Sequence, residues 1–383
     1  MTSPHRQFHR LAWLAVLLAL GVIVFGAFVR LSNAGLSCPD WPTCYGRATW
    51  PQHDEAVDHA ATAIRAVESH KAWREQFHRH IAATLGLMVL GLAVLAARAR
   101  RHGLATVLGA SALVAISIPL YMRQHYTEAA VLAGVAEALL LMAAWRWSNT
   151  DFARVATLTL AVIIFQAMLG MWTVTWLLKP VVVMSHLVGG LTTFSLLVWM
   201  ACRASPNAAL PVHASLHPKL RRMLIAGIAL VAIQIALGGW VSANYAALAC
   251  GTDFPTCLGQ WWPATDFGEG FVLWRGIGVD YEGGVLDGPA RAAIHLAHRL
   301  FALLVAGHLI ALGLRLRRAT ALGAWGVALL VLLGLQILLG ISNVVTGLPL
   351  KIATAHNLGA AVLLFVLVSL LARLRPASAG ASR

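Results

Sequence analysis

Charged side chains are scarce in this sequence. Only 11% of the 383 residues are Asp, Glu, Lys or Arg, whereas 59% are hydrophobic. Soluble domains carry about a quarter charged residues, so this composition excludes that class and is typical of a polytopic membrane protein in contact with lipid. Acidic residues are the rarer kind, 15 against 29 basic ones. The net charge of +14 is scattered over short loops, so we expect a topology signal and no nucleic-acid partner.

Ten stretches are apolar and long enough to cross the bilayer, which takes about 20 residues as a helix. The third and fourth are the weakest, because only a short polar segment separates two Ala-rich runs, and a re-entrant pair is the alternative. The predicted fold class is an all-α polytopic membrane protein. The predicted spans are residues 12–29, 77–97, 104–122, 129–147, 154–176, 182–202, 221–242, 291–314, 322–344 and 352–373.

Basic clusters mark one side of the membrane. "RARRHG" follows the second span, "HPKLRR" precedes the seventh and "RLRR" follows the eighth, all on the side of both termini. The positive-inside bias predicts that this side is cytoplasmic. The first span has no cleavage site, so we expect no cleavable signal or transit peptide. The predicted location is a bacterial cell inner membrane, with residues 30–76 and 243–290 as long outer loops.

Cysteine is rare, and four of the five cysteines lie in these outer loops. Cys38 and Cys44 lie close together in the first loop, and Cys250 and Cys257 in the second. An oxidising compartment favours one disulfide in each loop. A zinc site is the alternative, but the pairs belong to separate loops and neither has an obvious second pair of ligands.

An internal repeat relates the two halves of the chain. "GAFVRLSNAGLSC" at 26–38 matches "GGWVSANYAALAC" at 238–250, and "QAMLGMWTV" at 166–174 recurs as "QILLGISNV" at 336–344. The offset is 212 residues at the first match (238 less 26), 220 at the His-Arg pairs (298 less 78) and 170 at the glutamines (336 less 166). The fall from 220 to 170 indicates an insertion of about fifty residues in the first half.

Removing the insertion leaves two tandem pseudo-symmetric four-helix bundles in the same orientation. The predicted organisation is an N-terminal half at 1–205 with an inserted transmembrane hairpin at 104–147, a cytoplasmic linker at 206–220 and a C-terminal half at 221–383.

Four of the 16 histidines occupy repeat-related positions near the outer ends of spans: His78, His186, His298 and His356. Each half receives one from its second helix and one from its fourth, and facing imidazoles in a bundle can ligate both axial positions of a haem iron. A single helical histidine more often only makes a hydrogen bond, but four matched positions favour haem ligation. Zinc is disfavoured, because two histidines per half are too few ligands.

Other basic residues near the predicted sites have simpler explanations. Arg79 and Arg299 follow His78 and His298 directly, and they could contact haem propionates. Snorkelling of the two arginines to the membrane surface is the alternative. His308 has no counterpart in the repeat, so we expect it to be a hydrogen-bonded core or interface histidine.

The two halves differ next to this pattern. Glu75 precedes His78 by three residues, where the second half has His295 before His298. Residues three apart share a helix face, and a carboxylate beside a haem edge can move protons during oxidation. The first half is therefore predicted to be catalytic and the second an electron carrier. The alternative is that Glu75 is a solvated acid at the helix start, favoured by the helix dipole.

Together these motifs resemble the haem A synthase family, and "GMWTVTWLLKPVVVMSH" and "DFGEGFVLWR" resemble its proteobacterial branch. The resemblance implies an oxidoreductase that converts the C8 methyl group of haem O to the formyl group of haem A, for assembly of terminal cytochrome oxidases. It implies that His78 and His186 hold the substrate haem O, that Glu75 is catalytic, and that His298 and His356 ligate a resident haem B. The family has eight spans, so the hairpin at 104–147 is a departure.

The resemblance also implies two partners: haem O synthase as the donor of haem O, and a quinone or another membrane electron acceptor. A homo-oligomer is an open alternative to a monomer. The main rival is a non-enzymatic bis-histidine dihaem electron-transfer membrane cytochrome b, which would have no need of Glu75 in one half only. A transporter built on a parallel repeat is disfavoured, because charges within the spans are almost confined to outer helix ends.

Overall fold

The computed structural model describes residues 3–54, 60–205 and 209–376, and most of these are helical. Ten helices are long and apolar enough to cross a membrane, which confirms the predicted fold class and number of spans. The α-helices are α1 Ser3–Leu31, α2 Ser69–Ala97, α3 Gly103–Met122, α4 Tyr126–Arg146, α5 Ala153–Thr175, α6 Pro180–Ala204, α7 His217–Ala243, the short α8 Phe267–Gly270, α9 Gly288–Arg317, α10 Gly323–Val345 and α11 Leu350–Arg373.

The inserted hairpin consists of two full spans, α3 and α4. They have 20 and 21 residues, which at about 1.5 Å per residue is long enough to cross the hydrocarbon, and this length favours two full spans over the re-entrant alternative. The backbone N–H of Arg123 closes α3 on the carbonyls of Pro119 and Leu120, and Gln124 turns the chain with a positive φ of 66°. Glu137 lies near the middle of α4, which is an exception to the expected confinement of charge to helix ends.

Two functional helices begin earlier than hydropathy indicates. Helix α2 begins at Ser69 and not at residue 77, because a largely polar segment also forms helix and hydropathy cannot mark it. Glu75, His78 and Arg79 therefore lie inside α2. Helix α9 begins at Gly288, where the Asp287 side chain accepts the Ala290 N–H at 2.9 Å as an N-cap.

The chain divides into two compact units: Met1–Thr175 with Gly189–Ala204, and Trp176–Val188 with Ser205–Arg383. In the first unit α2 packs against α1 and α5, and the hairpin α3–α4 packs against α2 and α5. In the second unit α7, α9, α10 and α11 form a closed ring of four helices, each packed against two others. Residues 206–208 of the predicted linker lie outside the described residues.

The core of the second unit consists of aliphatic side chains that recur at helical spacing and face the ring interior. A short parallel pair of strands, β1 Leu210–Val212 and β2 Leu374–Pro376, joins the beginning of this unit to its end. Fully buried core leucines of the ring are Leu224, Leu309, Leu312, Leu329, Leu367 and Leu370.

Candidate functional site

Both predicted disulfides are formed. Cys38 bonds Cys44 with a Cα–Cα distance of 4.6 Å, and Cys250 bonds Cys257 at 4.5 Å. All four cysteines are buried, and the zinc alternative is wrong because each sulfur is already bonded to its neighbour. Within the described ranges, no group of three or more His, Cys, Asp and Glu side chains is arranged to hold a metal ion.

Each disulfide loop is held onto its helix by the arginine that follows the histidine. Arg79 donates from Nη1 to the carbonyls of Asp40 at 2.8 Å and Thr43 at 2.7 Å, and from Nη2 to the carbonyl of Cys38 at 2.7 Å. The rigid fork of a guanidinium suits several acceptors at once.

Arg299 repeats this arrangement in the second loop. It donates to the carbonyl of Thr256 at 2.9 Å and to that of Asp253 at 2.8 Å. The two arginines therefore fix the loops, and their contact with haem propionates stays a prediction.

Asp40 organises the first disulfide loop from within. Its carboxylate accepts bonds from the Thr43 hydroxyl and from the backbone amides of Tyr45 and Gly46, all between 2.6 and 2.9 Å. Partial burial acts to raise the pKa of Asp40, but these hydrogen bonds outweigh it and hold the pKa below its ordinary value. In the second loop Asp253 accepts the Gly259 amide at 2.7 Å, so the same turn recurs.

Glu75 is buried, with 4% of its surface exposed, which shows that the solvated-acid alternative is wrong. Its Oε2 accepts the Cys38 amide N–H at 2.8 Å, and its Oε1 accepts from Arg79 Nη2 at 2.6 Å. Burial, and then the negative charge of Glu75, raise the pKa of Tyr45 in the adjacent loop to about 12. The carboxylate is therefore fixed in position on the His78 helix, in contact with the disulfide loop.

His295 occupies the equivalent position in the second unit. It is also buried, and its Nδ1 lies 3.0 Å from the Ala246 carbonyl oxygen. A neutral imidazole thus contacts the second loop at the place where an ion pair binds the first. The predicted difference between the halves is present in the three-dimensional arrangement.

His78 lies on α2 and packs against α1. A Cβ added to Gly26 would lie 2.7 Å from the His78 Cε1, so only glycine leaves room for the imidazole. The Phe25 ring is stacked with the imidazole at a centroid distance of 6.5 Å.

His186 lies on α6, in the segment Trp176–Val188 that belongs to the second unit. The start of α6 is fixed there by two contacts: the Tyr281 amide donates to the Leu177 carbonyl at 3.1 Å, and Lys179 Nζ lies 3.3 Å from the Trp274 ring centroid. The pairing of His186 with His78 stays a prediction.

His298 on α9 and His356 on α11 face the interior of the four-helix ring. Both imidazoles are partly buried. Each lies against a glycine of a neighbouring helix: a Cβ on Gly238 or on Gly340 would lie 3.1 Å from the imidazole Cε1. Buried imidazoles facing each other from two helices can ligate one iron from both sides.

The polar atoms around His298 and His356 fit a bound haem. His356 Nδ1 is buried, and no hydrogen-bond partner for it occurs in the described part of the chain. The buried Oε1 atoms of Gln234 and Gln336 are equally without a partner among the described residues. Metal-bound imidazoles need an acceptor for the second ring N–H, so the donor and acceptor sets match a haem site.

His308 has the structural role expected for it. Its Nε2 lies 2.9 Å from the Met223 carbonyl oxygen, a satisfied contact between helices. Residues that the sequence reasoning missed are Gln234, Gln336 and the glycines one turn after them. The repeated pattern Gln-x-x-x-Gly at 166–170, 234–238 and 336–340 was the available signal.

Comparison with known proteins decides the family. The profile of the COX15-CtaA family, described as cytochrome oxidase assembly protein, matches residues 9–118 and 127–368. The chain belongs to this family. The match confirms the predicted resemblance, and between its two stretches it leaves out only residues 119–126, at the turn between α3 and α4. That the hairpin is an insertion stays a prediction.

Curated relatives extend the COX15-CtaA likeness over nearly the whole chain. The heme A synthase of Shewanella oneidensis is 38% identical over 366 residues, which cover 94% of this chain and 96% of that protein. The heme A synthase of Paracoccus denitrificans is 33% identical over 189 residues, 48% of this chain and 46% of that protein. That of Caulobacter vibrioides is 26% identical over 95% of each chain.

Proposed function

We propose that the protein is a haem A synthase of a bacterial inner membrane, with both termini in the cytoplasm. The reaction converts the C8 methyl group of haem O to a formyl group. Written with water as the oxygen source, one methyl group and one water yield one formyl group, four protons and four electrons. The electrons pass to a quinone or another membrane electron acceptor, and haem O synthase supplies the substrate.

One observation carries this proposal: the same helix–loop scaffold occurs twice, and only the first copy has a carboxylate on the helix three residues before the histidine, where the second copy has His295. Glu75 lies one helical turn from His78 and is bound by Arg79 at 2.6 Å and by the Cys38 amide at 2.8 Å. Electron transfer alone has no need of a buried acid, whereas oxidation of a methyl group releases protons that a base must accept.

In the N-terminal half of the chain, residues 1–205, the substrate is held and deprotonated. His78 and His186 bind the iron of haem O, and Gly26 sets the position of the His78 ring. Glu75 accepts a proton released at the methyl group. Because Oε1 is paired with Arg79, protonation of Glu75 weakens that ion pair and is thereby coupled to the disulfide loop that Arg79 holds.

In the second unit His298 and His356 hold haem B. This group supplies one-electron transfer when bound. The protein's own contribution is to hold both imidazoles on helices of one ring, each against a glycine of a neighbouring helix.

The experiment is to express the protein with haem O available, extract the haems and identify them by mass. Wild type is expected to yield haem A. Glu75→Gln keeps the shape of the side chain but cannot accept a proton, so haem A should fall by about 100-fold or more while haem B is retained.

His295→Gln is the matched control, since it changes the equivalent position in the other unit and should leave haem A formation measurable. Wild-type protein that contains only haem B and haem O, with no hydroxylated or formyl product, would favour the dihaem cytochrome instead.

A further inference from the structure

We propose that Gln234 and Gln336 are positioning residues for His298 and His356, setting which ring nitrogen carries the proton and so how strongly each histidine binds iron. The inference rests on the proposed assignment of haem B to these two histidines. It concerns two side chains that belong to neither the ligand set nor the disulfide loops.

Gln234 on α7 reaches across to α9. Its Nε2 lies 3.1 Å from the backbone carbonyl oxygen of His298 and 3.1 Å from the ring nitrogen Nδ1. The amide therefore contacts the histidine at two points, one on the backbone and one on the ring. Its Oε1 is buried, and it has no partner within the described residues.

Gln336 on α10 contacts α11 in the same way. Its Nε2 donates to the backbone carbonyl oxygen of His356 at 3.0 Å and lies 3.5 Å from the ring Nε2. Its Oε1 and the His356 Nδ1 are both buried and lack a hydrogen-bond partner in the described ranges. The Gln336 Oε1 and the His356 Nδ1 thus both need a hydrogen-bond partner, and they belong to two side chains that are in contact.

Iron ligation supplies the reason for this pairing. A histidine that binds iron through one ring nitrogen carries its proton on the other, and that N–H needs an acceptor to fix the ring. A half-turn of the Gln amide exchanges its oxygen and nitrogen in nearly the same space. Each glutamine can thus donate to the histidine backbone or accept from its ring.

Each glutamine is followed one turn later by the glycine against which the imidazole lies, Gly238 or Gly340. The pattern Gln-x-x-x-Gly therefore accommodates the imidazole: the glycine leaves space for the edge of the ring, and the amide orients the ring. On α1 the repeat places Val22 four residues before Gly26. A valine can neither donate nor accept, so the helix facing His78 has no such amide.

The test replaces each glutamine in the full-length, haem-loaded protein by Leu and by Glu, and measures haem B retention and its midpoint potential by redox titration. Leu removes the acceptor, so the potential should shift to more positive values and haem B affinity should fall by about 10- to 100-fold. Glu is a stronger acceptor that strengthens the ligand, so the potential should shift in the opposite direction, to more negative values.

Gln7→Leu is the matched control, a Gln-to-Leu change at an exposed position of α1 that should leave both readouts unchanged. Leu and Glu variants that shift the potential in the same direction, or not at all, would overturn the inference and leave only a helix-packing role. Wild-type protein without haem B would instead refute the proposed function, so the two failures are distinguishable.

Discussion

The two outer loops of this protein are built alike, yet only the first is bound to its helix through a buried ion pair. Both have a short disulfide loop and an arginine fork on the loop carbonyls. Glu75 joins Arg79 and the first loop, whereas His295 contacts the second loop through the Ala246 carbonyl. Duplication thus supplied one scaffold, and a change at one position separated a site with a buried carboxylate from one with a buried imidazole.

The largest expected effect comes from removing the two arginines. Arg79→Ala leaves Glu75 buried without its cation, which should lower the free energy of unfolding by about 3 to 5 kcal/mol. Arg299→Ala loses hydrogen bonds to carbonyls, which should cost about 1 to 3 kcal/mol. Unfolding in detergent, followed by accessibility of the disulfides to reductant, measures both.

The double variant Glu75→Gln with Arg79→Ala sharpens this comparison. Neutralising the acid should recover part of the stability that Arg79→Ala removes, because no uncompensated charge remains. Equal losses for the two arginine variants, without any recovery, would show that the ion pair does not distinguish the loops.

A smaller difference is expected between Gly26 and Gly238, the glycines that lie against the His78 and His298 rings. A Cβ would lie 2.7 Å from the His78 ring at Gly26 and 3.1 Å from the His298 ring at Gly238. Overpacking costs about 1 to 3 kcal/mol, and the closer contact should be the worse one. Gly26→Ala should therefore lower the haem A yield, as a fraction of wild type, more than Gly238→Ala lowers the haem B content on the same scale.

Gly21 on α1 provides the control for these glycine variants, because nothing lies within 4 Å of a Cβ added there. Gly21→Ala should leave haem content unchanged. If Gly21→Ala and Gly26→Ala impair haem content equally, the effect belongs to the helix and not to the imidazole.

The smallest effect is a pH dependence of the first loop. The pKa of Asp40 is lowered in the folded protein, so its carboxylate stabilises the fold above the unfolded value of 3.8 and this stabilisation is lost as pH falls through the folded pKa. Asp40→Asn should therefore be less stable than wild type at neutral pH, by about 1 kcal/mol. The difference should shrink below pH 3.8, as followed by unfolding across pH, and a constant difference would contradict it.

The membrane spans and the residues related by the internal repeat could be predicted from the sequence. Hydropathy marked ten spans, and the matched Cys and His-Arg positions indicated two disulfide loops. The early start of α2 was not readable, since Ser69 to Arg74 form helix in water and have no hydropathy signal. The role of Arg79 depends on carbonyls about 40 residues away along the chain, and no local pattern encodes such a contact.

Gln234 and Gln336 were missed for a different reason. They are uncharged and lie within apolar helices, so they resemble ordinary polar residues of a bundle until the structure places them beside histidines. The match between 166–174 and 336–344 contained the glutamine and the glycine, but spacing alone does not reveal which side chain an amide will meet.

The division of labour between the two units is tested most directly by the haem B spectrum of two variants, His356→Ala and His78→Ala, purified from the same membranes. His356→Ala should lose the stably bound haem B, because its iron would lack one of two imidazoles. His78→Ala should retain that spectrum and lose only haem A formation. Loss of haem B from His78→Ala with an unchanged spectrum in His356→Ala would contradict the account.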